Sequence, residues 1–566
     1  MKSDFLYKGV SLLQNIEKIN HKFNPRVMRI LLFILLSFCY LFIFVNDKGQ
    51  AIIKAEFDGQ FHFSRIMSLQ NIWTSPVDFN YFNHTGIIVN LVYPWPMVYP
   101  IFLFTKLTHD VVLSYYIYLL IMTFVTLELT YWCVKKMKQS TVSAIVTATL
   151  YTFTMCRTSD IYFRMALGEV VGITFLPIVV LGIYRIFYQE QPQWVTLTIG
   201  MTLLVYSHVI SVVMAATAVG IFFITSLIHK KLTKQKIVAL VKATLTTIVL
   251  GLGFFVPMLQ ILLSVDLNKP GAYNLFQAAS KPDDFLLKSI SNTVDGTDTL
   301  SFVFLIIIVI LIIKWKDIKG FFKDSLIVGL LFVIMSTQLF PWEPFQKIFA
   351  IIQFPWRFIG LATLLLSIAF SQVIVSYQKK SHKDGLKVAL LVISAVVVGH
   401  FATLDSIGNI NGLNIGNSSS FYTKAISKNA LFNGRDDYAP KDTNLDVDVI
   451  NNQMICANAA WHKLKAKVTA NKVTYTYHSP NETTAFLPVY HYPGEKVIQN
   501  GVEIPAQASA DGATYVNLVK GANTFEISYG YTSLARLAWI ISLIAAIIFN
   551  GLILISKRKH KQKLEK

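Results

Sequence analysis

What this chain has least of is charge. Of its 566 residues only 15% are Asp, Glu, Lys or Arg, against 54% hydrophobic. A soluble protein of this length divides into domains whose surfaces bring charged residues to about a quarter of the total. That class is excluded. Cysteine is scarce too. Cys39, Cys133, Cys156 and Cys456 are the full set, with no Cys-x-x-Cys spacing, so neither a zinc knuckle nor a disulfide framework is expected. There is no P-loop, no dinucleotide-binding glycine fingerprint and no His-Glu-x-x-His zinc motif. Acids are outnumbered by bases, 32 to 51, for a formal net charge of +19.

By sign alone that excess suits nucleic acid; its distribution does not. Lysines gather at 135, 136 and 138, at 230, 231, 234 and 236, at 314, 316, 319 and 323, and at 379, 380, 383 and 387, and the chain ends SKRKHKQKLEK. Each cluster lies between apolar runs, the pattern of cytoplasmic loops under the positive-inside rule. The expected partners are therefore membrane lipids and not nucleic acid, with anionic headgroups a by-product of topology.

The apolar runs approach the length of about 20 residues that crosses a bilayer as helix. The first, Val27 to Val45, starts late, is long and has no small-residue cleavage site after it, so it reads as a retained anchor. Further runs fall at Val111 to Val134, 141–156, 168–187, 194–228 (two passes turning near His208), 238–262, 300–315, 325–340, 358–377, 388–403 and Leu534 to Ile555. The stretch NLVYPWPMVYPIFLFTKL is interrupted by Pro94, Pro96 and Pro100 and reads as interfacial or re-entrant. The expected fold is a polytopic α-helical membrane protein of about twelve transmembrane helices. Residues 1–26 form a cytoplasmic N-terminus. Residues 27–403 form the transmembrane core, with a first outer loop at 46–110. Residues 404–533 form an extracytoplasmic β-rich domain, 534–555 the last helix and 556–566 a basic cytoplasmic tail. In the β-domain KLKAKVTANKVTYTYHS, TTAFLPVY, ATYVNLV and NTFEISYGY alternate as half-buried strands. The turns HSPNE, YPGE, QNGVE, ADG and KGAN separate them, which suggests an antiparallel sandwich.

Chemistry concentrates just outside the first run, in AEFDGQFHFSRI. If 57–66 is helical, Asp58, His62 and Arg65 share a face, with Glu56 just before. Each has a plain alternative: Asp58 as a helix cap, Arg65 in a salt bridge or on a headgroup, His62 packed or solvated. Taken together they offer a carboxylate to accept a proton from a hydroxyl and an arginine to hold a phosphate. Other outer ends add Arg157, Asp160, Arg164 and Glu169, then His208, then Trp356 and Arg357. Charges and Trp at span ends also serve as interfacial anchors.

EFDGQFHFSRI, DIYFRMALGEVVGITFLPIVV, SHVIS and IIQFPWRF resemble bacterial membrane proteins called 6-pyruvoyl-tetrahydropterin-synthase-related. LPVYHYPGEKVIQNGVEI resembles the outer β-domain of YfhO-type envelope glycosylation proteins. Both groups look like GT-C integral-membrane glycosyltransferases. The resemblance implies an acidic motif in the first outer loop, which Glu56-Phe57-Asp58 fits, with Asp58 as catalytic base. It implies a polyprenyl-phosphate-linked sugar as donor and an envelope glycan or glycolipid as acceptor. The leaving phosphate would be met by Arg65, Arg164 or Arg357, with His62, Glu169 and His208 around the substrate. Some members place a divalent cation at the acidic motif; Glu56 and Asp58 alone are too few ligands to imply one. Two other classes stay open: a lipid-linked-sugar flippase or transporter, and a non-catalytic envelope assembly protein. Transporters place ionisable groups at mid-membrane, where this chain has mainly Glu128. In the β-domain Trp461, Tyr490 and Tyr492 either bind acceptor or pack the core.

Overall fold

The computed structural model describes residues 24–53, 58–268, 271, 273–295, 297, 299–408, 416–426, 437–441, 452–458, 460–508 and 512–564. It is mostly helical, with a separate β-region near the C-terminus. Among the described residues seven helices are long and apolar enough to cross a membrane: Val111–Lys136, Leu167–Phe187, Val209–Ile228, Lys234–Ser264, Pro355–Lys380, Lys383–Gly408 and Ser533–Ser556. Of these, Val111–Lys136 starts on a side-chain cap, as does the shorter helix Thr141–Thr152. Asp110 Oδ1 accepts from the Leu113 amide at 2.9 Å and Ser140 Oγ from the Ser143 amide at 3.1 Å, each meeting one of the donors a helix start leaves unpaired.

Other expected spans correspond to shorter helices: Thr141–Thr152, Val195–Val205, Phe302–Ile313 and Phe321–Met335. The first apolar run is also shorter as helix than as sequence. Helix Pro25–Tyr40 stops at Leu41, and the chain continues extended to a bridge between Val45 and Ala51. Side chains make the stop possible, because the Tyr40 carbonyl accepts from His400 Nε2 at 2.7 Å and from the Tyr162 hydroxyl at 3.2 Å. Glu128 is answered by Arg29, whose Nε and Nη2 each lie 3.1 Å from one of its carboxylate oxygens.

The β-region consists of two five-stranded antiparallel sheets. One runs in the order Gln507–Ala508, Ala513–Leu518, Thr483–Tyr490, Met454–Ala457, Ala460–Lys463. The other runs Lys467–Val468, Lys472–Ser479, Gly521–Tyr529, Glu495–Gln499, Val502–Ile504. Alternate residues of both, among them Ile455, Tyr475, Leu487, Val516, Phe525 and Ile527, form one apolar core, as two facing sheets require. Tyr490 and Tyr492 belong to that core and are fully buried, whereas Trp461 on an edge strand is 42% exposed.

The segment between helices Pro25–Tyr40 and Val111–Lys136 is held against this β-region. The Tyr490 amide donates to the Thr85 carbonyl at 2.9 Å and the Phe79 amide to the Ala470 carbonyl at 3.1 Å. The Tyr531 hydroxyl donates to the Ile72 carbonyl at 2.6 Å. Strand Ile52–Ile53 pairs with Gly416–Asn417, tying that segment's start to the residues leading into the β-region.

Candidate active site

Asp58 opens helix Gly59–Met67, but its side chain makes no cap hydrogen bond. Its backbone is fixed instead: the Asp58 amide donates to the Arg164 carbonyl at 3.0 Å, and its carbonyl accepts from the His62 amide at 3.0 Å. Gly59 allows the approach. A Cβ there would lie 2.6 Å from the Met165 sulfur, and Met165 itself holds a left-handed φ of 55°. The helix start and the turn joining helices Met155–Tyr162 and Leu167–Phe187 therefore meet backbone to backbone.

That turn carries Arg164, which is 8% exposed. Its Nη1 lies 2.6 Å from Asp160 Oδ1 and its Nη2 lies 3.2 Å from Glu169 Oε2. The guanidinium carbon stands 4.2 Å from the Trp356 ring centroid. Glu169 Oε2 also lies 3.4 Å from Arg357 Nε. Arg357 Nη1 donates to the Ile352 carbonyl at 2.8 Å and to Gln353 Oε1 at 3.0 Å. Two arginines from distant parts of the chain thus share one carboxylate, and both act electrostatically on Asp58. Burial raises the Asp58 carboxyl above its ordinary range. Arg164 and then Arg357 pull it back, while Glu169 and Asp437 push it further up.

The other expected residues adjoin this group in a second, mainly neutral layer. Arg65 is 1% exposed. Its Nη2 donates to the Pro94 carbonyl at 3.0 Å, its Nη1 meets His62 Nδ1 at 3.3 Å, and its Nε reaches Asn90 Oδ1 at 3.4 Å. Its guanidinium lies 4.0 Å from the Tyr93 ring centroid. Burial brings Arg65 down to about 10, which leaves it charged. His62 is lowered well below the usual imidazole range by burial, then by Arg65 and His208. His208 is lowered to about 4, chiefly by burial. Both are neutral at physiological pH. His208 Nδ1 lies 2.9 Å from Ser211 Oγ and its ring 6.1 Å from that of Tyr93. Gly168 gives these rings room, since a Cβ there would meet Tyr93 Oη at 2.3 Å.

Asp58, His62, Arg65, Arg164, Glu169, His208 and Arg357 are therefore neighbours in one assembly. Glu56 lies outside the described residues. Trp356 is buried, with Arg164 over its ring and Phe354 stacked 5.0 Å away, so it braces a cation. Sequence reasoning missed Tyr93, Asp437 and Tyr438. Tyr93 lies in the YPWP stretch, whose prolines marked irregular backbone; nothing in DYAPK signalled the other two. Among the described residues no group of three or more His, Cys, Asp or Glu is arranged to hold a metal ion. The assembly can take up a proton at Asp58 and neutralise an anion with Arg164 and Arg357. No family model matches this chain, and no curated protein is significantly similar to it.

Proposed function

We propose that the chain is a membrane-embedded glycosyltransferase of the GT-C kind. It moves a sugar from a polyprenyl-phosphate-linked donor to an envelope glycan or glycolipid at the outer face of the cytoplasmic membrane. In this reading the shorter apolar helices complete about twelve passes, both termini are cytoplasmic, and the Asp58 assembly and the β-domain are outside. The lysine-rich helix ends support that orientation. Helix Val111–Lys136 has Asp110 at its start and Lys135 and Lys136 in its last turn.

The observation that carries the reading is Asp58: a carboxylate at a helix start that caps nothing, is raised by burial and is acted on by two arginines. The acceptor hydroxyl gives its proton to the Asp58 carboxylate as its oxygen bonds to the sugar's anomeric carbon. The bond from that carbon to the phosphate oxygen breaks, and its electron pair leaves on the phosphate. Arg164 and Arg357 receive the developing charge by exchanging part of their pairing with Glu169 for the phosphate. Arg65 holds the helix bearing Asp58 through neutral acceptors, and neutral His62 and His208 line the same side.

The test is mass spectrometry of envelope glycans from wild type, a deletion strain and Asp58→Asn at matched protein level. A sugar lost in both mutants supports the transferase, and the missing mass gives the sugar class. A sugar lost only in the deletion removes Asp58 from catalysis and favours assembly or transport.

A further inference from the structure

A short strap, 437–441, reading DYAPK, runs between the β-region and the Asp58 assembly. One side is pinned to the residues that follow helix Lys234–Ser264. The Tyr438 amide donates to the Asn268 carbonyl at 2.8 Å, the Asn268 amide returns a bond to Ala439 at 2.8 Å, and the Lys441 amide donates to Asp266 at 2.6 Å. The other side is pinned to the β-region. The hydroxyl of Tyr492, a fully buried core residue, donates to the Tyr438 carbonyl at 3.0 Å. Gly512, at φ +70°, accepts Pro440 so closely that a Cβ would lie 2.3 Å from the proline Cβ.

Held from both sides, the strap projects the Tyr438 ring onto Phe61, with centroids 6.2 Å apart and planes 27° from parallel. It joins a small apolar cluster with Phe61, Ile87, Val89 and Tyr93. Phe61 stands on the first turn of the helix that Asp58 begins, so a ring fixed on Phe61 fixes the direction of that start. Burial first, then Tyr93 and Asp437, raise the Tyr438 phenol above its ordinary value, leaving a neutral hydroxyl beside the charged group.

We infer that Tyr438 is a positioning residue of the Asp58 site, and that the β-domain holds it there through Tyr492 and Gly512. The site's geometry then depends on β-domain docking, although the β-domain supplies no group to the reaction. The effect on product rests on the transferase reading; the effect on geometry does not.

The experiment uses the full chain in lipid nanodiscs, treated with a water-soluble carbodiimide and glycine ethyl ester. Peptide mass spectrometry reads the amide formed on Asp58. Tyr438→Ala is expected to raise labelling about fivefold as the helix start loosens. Tyr492→Phe, which removes only one hydroxyl, is expected to raise it about twofold. Tyr438→Phe, which keeps the ring, labels as wild type. In cells whose glycan product depends on Asp58, Tyr438→Ala lowers product about tenfold and Tyr438→Phe restores it. Wild-type labelling in folded Tyr438→Ala overturns the inference, and if that variant does not fold, wild-type labelling in Tyr492→Phe does so. Raised labelling without loss of Asp58-dependent product overturns the positioning role. Raised labelling in a protein whose deletion changes no glycan leaves the strap's role standing and removes the transferase reading instead.

Discussion

Two buried arginine settings lie close together in this molecule. Arg164 and Arg357 are balanced by acids: Asp160 and Glu169 in ion pairs, and Asp58 through their pull on its carboxyl. Arg157, only seven residues before Arg164, is fully buried yet has neutral partners. Its Nη2 donates to Thr123 Oγ1 at 3.0 Å, its Nη1 to the Thr152 carbonyl at 3.5 Å, and its guanidinium lies 4.6 Å from the Tyr40 ring centroid. Arg65 resembles Arg157, with carbonyls, an amide oxygen and an imidazole around it. The difference teaches where chemistry belongs. A guanidinium held by neutral dipoles joins parts of the fold, and an arriving phosphate would have to displace backbone. A guanidinium held by carboxylates next to a further carboxylate can trade one anion for another.

The largest expected effect falls on the acid at the centre of the charged setting. Asp58→Asn should lower glycan product by about 100- to 10,000-fold, the range for loss of a general base, measured per folded protein. Thermal stability should move the other way. The folded carboxyl is raised above its unfolded value, so the folded state binds the proton more tightly and stability falls as pH rises through that window. Above it, where Asp58 is ionised, the asparagine removes an electrostatic cost. Its melting temperature should equal or exceed wild type at pH 7.5. For the same reason the acid limb of activity should lie above the usual carboxylate range, and a limb at or below pH 4 would remove Asp58 as the titrating group.

Arg164→Ala tests the acid-balanced class by removing the guanidinium that pairs with both Asp160 and Glu169. Breaking a buried pair by removing one partner costs about 3–5 kcal/mol, to be read as reduced melting temperature. Because Asp160 then loses its pairing with Arg164 and Glu169 keeps Arg357, part of that loss should return on lowering the pH. Arg157→Met is the matched test of the neutral class. It strands only hydroxyl and carbonyl acceptors, and about 1–3 kcal/mol is expected, without recovery at low pH and without loss of product per folded molecule. If both variants respond alike to pH, the distinction between the settings fails.

How much of this was legible beforehand differs by element. The β-strands were, because alternation in KVTYTYHS and NTFEISYG reports a two-faced surface directly. So was the break near His208, between helices Val195–Val205 and Val209–Ile228. The proximity of Arg164, His208 and Arg357 to Asp58 was not legible, since spacing along the chain says nothing of contacts between distant helix ends. Hydropathy did not show where Pro25–Tyr40 would stop. That end is set by His400 and Tyr162, far along the chain, while the apolar run continues to Val45. Hydropathy likewise made no distinction between Arg65 and Arg164, because neutral and acidic partners are both supplied by tertiary structure.

Asp78 offers the smallest and cleanest comparison, a buried acid of the same segment as Asp58 with no arginine acting on it among the described residues. It is 4% exposed. Its Oδ1 accepts from the Asn80 amide at 2.9 Å, while its Oδ2 has no hydrogen-bond partner. Burial raises it to about 6 from an ordinary 3.8, and the Asn80 bonds and Lys106 pull back only part of the way. Stability contributed by the protonated form is present below the ordinary value and lost as pH rises to about 6. Asp78→Asn keeps the accepted bond and removes the ionisation. It should gain on the order of 1–3 kcal/mol at pH 8 and little at pH 4, with product unchanged. Set beside Asp58→Asn, it separates burial from function: each substitution removes a buried charge, and only the acid that arginines act on should take the product with it.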